Sequence, residues 1–161
     1  MQNNKILKRI RYALKFRDKK MQNIFSLDGT DISLDDINHF LVSEHDTNFK
    51  PCSNKILHSF LNGLILFYRG DSNNSSIHAF IRISKQNANN LVIKKLKIAF
   101  KLTKEDVFKI FRLGDLDISL SEVSGILRNE KSKMYRECGD KYIRKFLKGL
   151  AIHLRNPIPV G

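Results

Sequence analysis

The side chains of this sequence that could do chemistry are its histidines, its two cysteines and its clusters of lysine and arginine, and their spacing narrows what that chemistry is. The five histidines, His39, His45, His58, His78 and His153, show none of the spacings of a metal site. Each reads as a surface or core-edge residue. Cys52 and Cys138 have no CxxC partner, so no zinc site is expected. A thiol at a helix N-terminus can be acidified and reactive, but a small buried cysteine is inert, and the structural role is favoured here. No phosphate-binding glycine loop and no nucleophile elbow occurs. No residue is nominated as catalytic, and no cofactor or metal is implied. An enzyme with a site formed between two parts of the chain is a third reading that no motif supports.

What the charges could do is more definite. The chain has 161 residues, with 29 Lys+Arg against 16 Asp+Glu, a net of +13, and the charge is uneven. Residues 1–20 hold eight basic side chains and one acid, Asp18, whereas residues 21–70 hold three bases and six acids. Polarised basic charge favours polyanions, although abundant surface lysine alone would also raise the total. Three clusters are candidate nucleic-acid contacts: Lys8, Arg11 and Lys15; Lys94, Lys97 and Lys101; and Arg144, Lys145 and Lys148. Contacts from such residues go mostly to phosphate, so they would be sequence-tolerant and salt-sensitive. Phe49 and Tyr135 could stack on bases or plug a core.

The elements that must position these residues come in two copies. Residues 3–69 align on residues 89–155 without a gap, with about 21 identities over about 67 positions. Asp31-Ile32-Ser33-Leu34 returns as Asp117-Ile118-Ser119-Leu120, and Cys52, Phe60-Leu61 and Gly63-Leu64 return 86 positions on. The resulting division is a first helical repeat over 1–69, a linker over 70–88, a second repeat over 89–155 and a flexible tail over 156–161. Units of this size hold marginal cores alone, so the two repeats are expected to pack together. No apolar run reaches membrane-span length and the N-terminus lacks a signal-peptide core, so the expected location is the cytoplasm.

Each repeat predicts four helices. The first has an apolar stripe, Ile6, Leu7, Ile10 and Leu14, answered by Val92, Ile93, Leu96 and Phe100, with the lysine clusters on another face. The second begins near Asp18 or Thr103, where Asp106 completes a capping box with Thr103. The third has Ser33 or Ser119 at its N-cap with Asp36 or Glu122 three residues on, and Ile32 or Ile118 positioned as a hydrophobic staple. Fold specification thus accounts for the repeated Asp-Ile-Ser-Leu. The fourth opens beside the cysteine and is broadly apolar, which makes it central. Gly63 and Gly149 lie inside it, where glycine costs roughly 1 kcal/mol relative to alanine. Their recurrence suggests close backbone approach, and the expectation is that the two fourth helices cross there. In the linker, Ile77, Ala79, Ile81 and Ile83 alternate as in a short extended piece. The third helix is a poor major-groove reader, since it opens Leu34-Asp35-Asp36, with acids where phosphates would approach.

Asn89-Asn90 with Lys94-Lys95-Leu96, Asp117-x-Ser119, Arg136-Glu137-Cys138-Gly139-Asp140 and Phe146-Leu147-x-Gly149-Leu150 together resemble the bacterial YehS-like proteins. The resemblance covers both repeats. It implies a small helical bacterial protein built from a tandem domain of unknown function, and it transfers no catalytic or ligand residue.

The fold read from the sequence is all-α, two homologous four-helix repeats packed with pseudo-two-fold symmetry. The function is read as non-enzymatic, sequence-tolerant binding of RNA or DNA on basic helical faces. The alternative is an adaptor or regulator whose basic surface meets an acidic protein partner. Convergence of the basic clusters in space favours the first reading; scatter with an exposed apolar patch favours the second.

Overall fold

A computed structural model describes residues 1–70 and 82–155. His78, most of the proposed extended piece of the linker and the tail lie outside the described residues. Among the described residues there are eight helices and no strand. The first repeat supplies α1 (Asn3–Leu14), α2 (Asp18–Leu27), α3 (Leu34–Leu41) and α4 (Asn54–Arg69). The second supplies α5 (Ala88–Ala99), α6 (Lys104–Leu113), α7 (Leu120–Leu127) and α8 (Asp140–Arg155).

The start signals work as local chemistry requires. Ser33 and Ser119 accept from the backbone N–H of Asp36 and Glu122, and Thr103 accepts from that of Asp106. The reciprocal half of the capping box forms at Thr103 and Ser119. At α2 the first repeat differs: Asp18 caps nothing and instead meets Arg11 at 3.3 Å.

The Asn pairs at the head of each repeat are structural clamps. Asn4 donates to the carbonyls of Phe40 and Lys50 and accepts from the Cys52 N–H. Asn90 repeats all three bonds with Ile126, Arg136 and Cys138. A buried amide so satisfied ties the first helix to the loop before the fourth, and it closes backbone groups that burial would otherwise leave unpaired.

Packing between the repeats is reciprocal. The first helix of each repeat lies chiefly on the fourth helix of the other, α1 on α8 and α5 on α4. The α1–α8 pair runs in parallel: Met1 meets Asp140 at one end, and Arg155 covers the Tyr12 ring at the other. All the principal apolar side chains of both repeats join one core, including Phe25, Phe60, Phe111 and Phe146. Exchange of the first helices makes neither half's core complete without the other, which resolves the marginal size of a single repeat.

The helical glycines have a different partner from the one expected. The main neighbours of α4 are α5 and α2, and Gly63 faces the backbone of Ile24 in α2. A Cβ at Gly63 would sit 2.9 Å from the Ile24 carbonyl carbon and closer still to its oxygen; at Gly149 it would sit 2.8 Å from the carbonyl carbon of Ile110 in α6. The close crossing is therefore between the second and fourth helices of each repeat, not between the two fourth helices. A position that admits no Cβ records only that a backbone is near, not which one.

Candidate nucleic-acid interface

Along α8 the core side is Ile143, Phe146, Leu147 and Leu150. Lys141, Lys145 and Lys148 follow at helical spacing on another side, with Arg144 beside them. Because α1 is the helix that packs on α8, it brings Arg9 to the same place. These five cations line a groove of about 480 Å³ with no acid among its described lining residues. The acids nearby are engaged at its margins. Asp115 accepts from Lys148 at 2.5 Å, which holds its carboxyl below the usual range. Asp140 takes the N-terminal ammonium and the Asn89 amide, which lower its pKa likewise.

The pseudo-symmetry supplies an internal control. Positions 86 residues away from Arg9, Arg144, Lys145 and Lys148 are Lys95, His58, Ser59 and Asn62, at the α4–α5 contact. That contact is closed. Lys95 is 2% exposed, and burial lowers its pKa to about 8, with Asp28 pulling the other way. His58 is also 2% exposed, which corrects its reading as a surface or core-edge residue. Neither of its ring nitrogens has a hydrogen-bond partner among the described residues. Burial, with Lys95 beside it, lowers the His58 pKa to about 3. Ser59 bonds Thr30 at 2.6 Å. Two homologous contacts have thus diverged, one into a closed junction of mainly neutral side chains and the other into an open row of cations.

The family described as "Protein of unknown function (DUF1456)" matches the chain twice, over residues 3–70 and 89–156. The chain belongs to this family. The DUF1456 segments coincide with the two four-helix units. The chain is also 36% identical over 152 residues, 94% of its length and 95% of the relative's, to "Uncharacterized protein YehS" of Escherichia coli strain K12. No solved structure matches it.

Within this DUF1456 chain the remaining basic candidates are dispersed. Lys8 lines a cleft of about 160 Å³ with Glu44 and Phe49, and Lys94 lines its counterpart of about 340 Å³ with Glu130 and Tyr135. Lys94 is held there by a 2.6 Å bond to the Arg128 carbonyl, and burial lowers its pKa against the pull of Glu130. Arg11 is engaged by Asp18. Lys97 is half-buried. Lys15, which caps α1, and Lys101, just past the cap of α5, stand in the left-handed region, φ 57° and 53°, as exposed residues. Of the nine candidates, then, only Arg144, Lys145 and Lys148 share the groove. Arg9 and Lys141 are groove residues that the sequence reading missed. Lys141 was legible as one more turn of α8, whereas Arg9 was not, because its place depends on which helix α1 packs against.

The cysteines sit in matching places behind the Asn clamps, and both are free and buried. Burial pushes both thiols up to about 12, the opposite of an activated thiolate. Among the described residues no group of three or more His, Cys, Asp or Glu could hold a metal ion, and no helix is long and apolar enough to cross a membrane.

Proposed function

We propose that this protein binds nucleic acid without sequence preference, as a non-enzymatic cytoplasmic protein, through the α1–α8 groove. The observation that carries the reading is five converging cations with no acid among the described residues of the lining. Like charges gathered on two packed helices repel one another, and a polyanion relieves that repulsion by replacing their small counterions. Side chains of this type address phosphates, so the reading entails tolerance of sequence. Among the described residues the homologous α4–α5 contact is closed, with Lys95, His58 and Ser59 buried, so the cations are not a requirement of the fold.

Fluorescence-anisotropy titration of labelled oligonucleotides at several salt concentrations tests this. Four to five neutralised phosphates give a log–log salt slope of roughly −3.5 to −4.5 on duplex and about −3 on single strands. Lys141→Glu with Arg144→Glu, both exposed positions, should abolish binding near physiological salt. Wild-type protein that binds neither RNA nor DNA at low salt refutes the reading, as does undiminished binding by the double variant. The competing reading, an acidic protein partner, draws support from the dispersal of the other six basic candidates and from aromatic side chains exposed beyond the groove, Tyr12, Phe67 and Tyr68. It predicts retention of an acidic polypeptide at salt concentrations that release nucleic acid.

A further inference from the structure

Beyond the cationic groove, the C-terminal ends of α1, α4, α5 and α8 meet at one end of the molecule. Phe16, just past α1, makes an edge contact with Phe67 of α4, their centroids 6.3 Å apart. Tyr68 of α4 lies 4.9 Å from Phe100, which caps α5. Arg155 of α8 holds its guanidinium 4.2 Å above the Tyr12 ring of α1. Three of these aromatic side chains remain open to solvent, Tyr12 at 62%, Phe67 at 41% and Tyr68 at 40%. None of the three belongs to the core cluster.

Two of the three exposed rings, Tyr12 and Phe67, are accompanied by a cation. Lys20 stands 3.9 Å from the Phe67 centroid, Arg155 covers Tyr12, and the exposed Lys15 and Lys101 lie just past the ends of α1 and α5. Tyr12 is one helical turn beyond Arg9 on α1, and Arg155 is two turns beyond Lys148 on α8. At ~1.5 Å of rise per residue, Tyr12 lies about 4.5 Å past Arg9 along α1 and Arg155 about 10 Å past Lys148 along α8, so the pair continues the direction of the groove. A backbone tracking the groove therefore arrives at a flat aromatic ring already backed by a planar cation.

We propose that this end of the molecule is a stacking platform for unpaired bases, so that the preferred ligand is single-stranded nucleic acid. The proposal rests on the groove reading above. Phosphates held along Arg9, Lys141, Arg144 and Lys148 lead the strand to Tyr12, whose outer face receives a base while Arg155 occupies the inner one. Phe67, with Lys20 at its side, offers a second surface. Every base has a π-face, so stacking adds affinity without sequence preference, and a paired base inside a duplex cannot reach the ring. The cations at these helix ends also offset the negative pole that four converging C-termini would present to phosphate.

The test is anisotropy with one labelled 12-nucleotide strand, used alone and annealed to its complement, at fixed salt. Wild-type protein should bind the single strand more tightly. Tyr12→Ala should weaken single-strand binding by roughly 5-fold or more, the loss expected for one stacked base, and leave duplex binding and the salt slope unchanged. Tyr12→Phe should restore the preference, because it keeps the ring. Tyr12 is exposed, and circular dichroism and melting confirm that each variant is folded. Equal affinity of the wild type for both ligands, or a Tyr12→Ala loss shared equally by both, overturns the platform while leaving the groove intact. Absence of any binding by the wild type removes the groove reading and the platform with it.

Discussion

Lys95→Met should stabilise this protein, and the gain should vanish at alkaline pH. Lys95 lies at the α4–α5 contact with 2% of its surface exposed, and its pKa falls from 10.5 to about 8 on folding. Desolvation is the leading cause, and Asp28 only partly opposes it. The linkage sign follows from where the proton sits. Between pH 8 and 10.5 the unfolded chain holds the proton and the folded chain does not, so folding stability declines as pH falls through that window and is constant below it. At 1.36 kcal/mol per unit, a lowering of 2.5 units corresponds to a charge penalty of about 3 kcal/mol at pH 7. Methionine keeps the length and most of the volume of the side chain without the ammonium group. Urea denaturation at pH 7 should then show the variant more stable by roughly 2–3 kcal/mol, with an unchanged m-value. Repeated at pH 10.5, the two proteins should converge, because both states of the wild type are then losing the charge. A variant less stable than wild type at pH 7 refutes the reasoning, since it would mean that Asp28 more than compensates desolvation and that the buried ammonium is a net attraction.

The neighbouring His58 makes a complementary prediction at the acid side. Its pKa falls from 6.5 to about 3 on folding, so the unfolded state takes up the proton first and stability declines as pH drops through that range. At pH 4.5 the loss attributable to this group is about 3 kcal/mol, and His58→Leu should remove that part of the acid limb in denaturant titrations; parallel limbs in the two proteins would contradict the burial of an unpaired imidazole. Gly149→Ala should destabilise by about 1–3 kcal/mol or more, although alanine gains nearly 1 kcal/mol of helix propensity, because its methyl group meets the backbone carbonyl of Ile110. A neutral effect on the melting temperature would show that α6 and α8 separate at little cost.

The two inter-repeat contacts explain why one duplicated sequence can hold both a stabilising seam and an exposed basic groove. Duplication presents the same helix pair twice. One copy carries His58, Ser59 and Asn62 and closes over a single buried cation; the other carries Arg144, Lys145 and Lys148 and stays open. Burying those three charges beside Arg9 would cost several kcal/mol for each ion, so the polarity of these few positions decides how tightly each seam seals.

Sequence alone determined the duplication, the number and type of helices, the Ser33, Ser119 and Thr103 caps and the family, because each of these is written in local pattern: helical periodicity, a polar side chain three residues before its partner, identity at a fixed offset of 86. It also placed Arg144, Lys145 and Lys148 together, since i, i+1 and i+4 on one helix are neighbours whatever the fold. Only the tertiary structure decided that α1 crosses to α8, and with it everything that depends on two helices at once. Arg9 and Lys95 occupy equivalent places in nearly identical helical patterns, yet one lines an open groove and the other is buried, because burial is set by the side chains of the opposing helix. The same holds for Gly63 and Gly149, whose missing Cβ recorded a close crossing but not its partner. Local chemistry is short-ranged and legible in order along the chain; the company a side chain keeps depends on contacts between residues far apart in sequence.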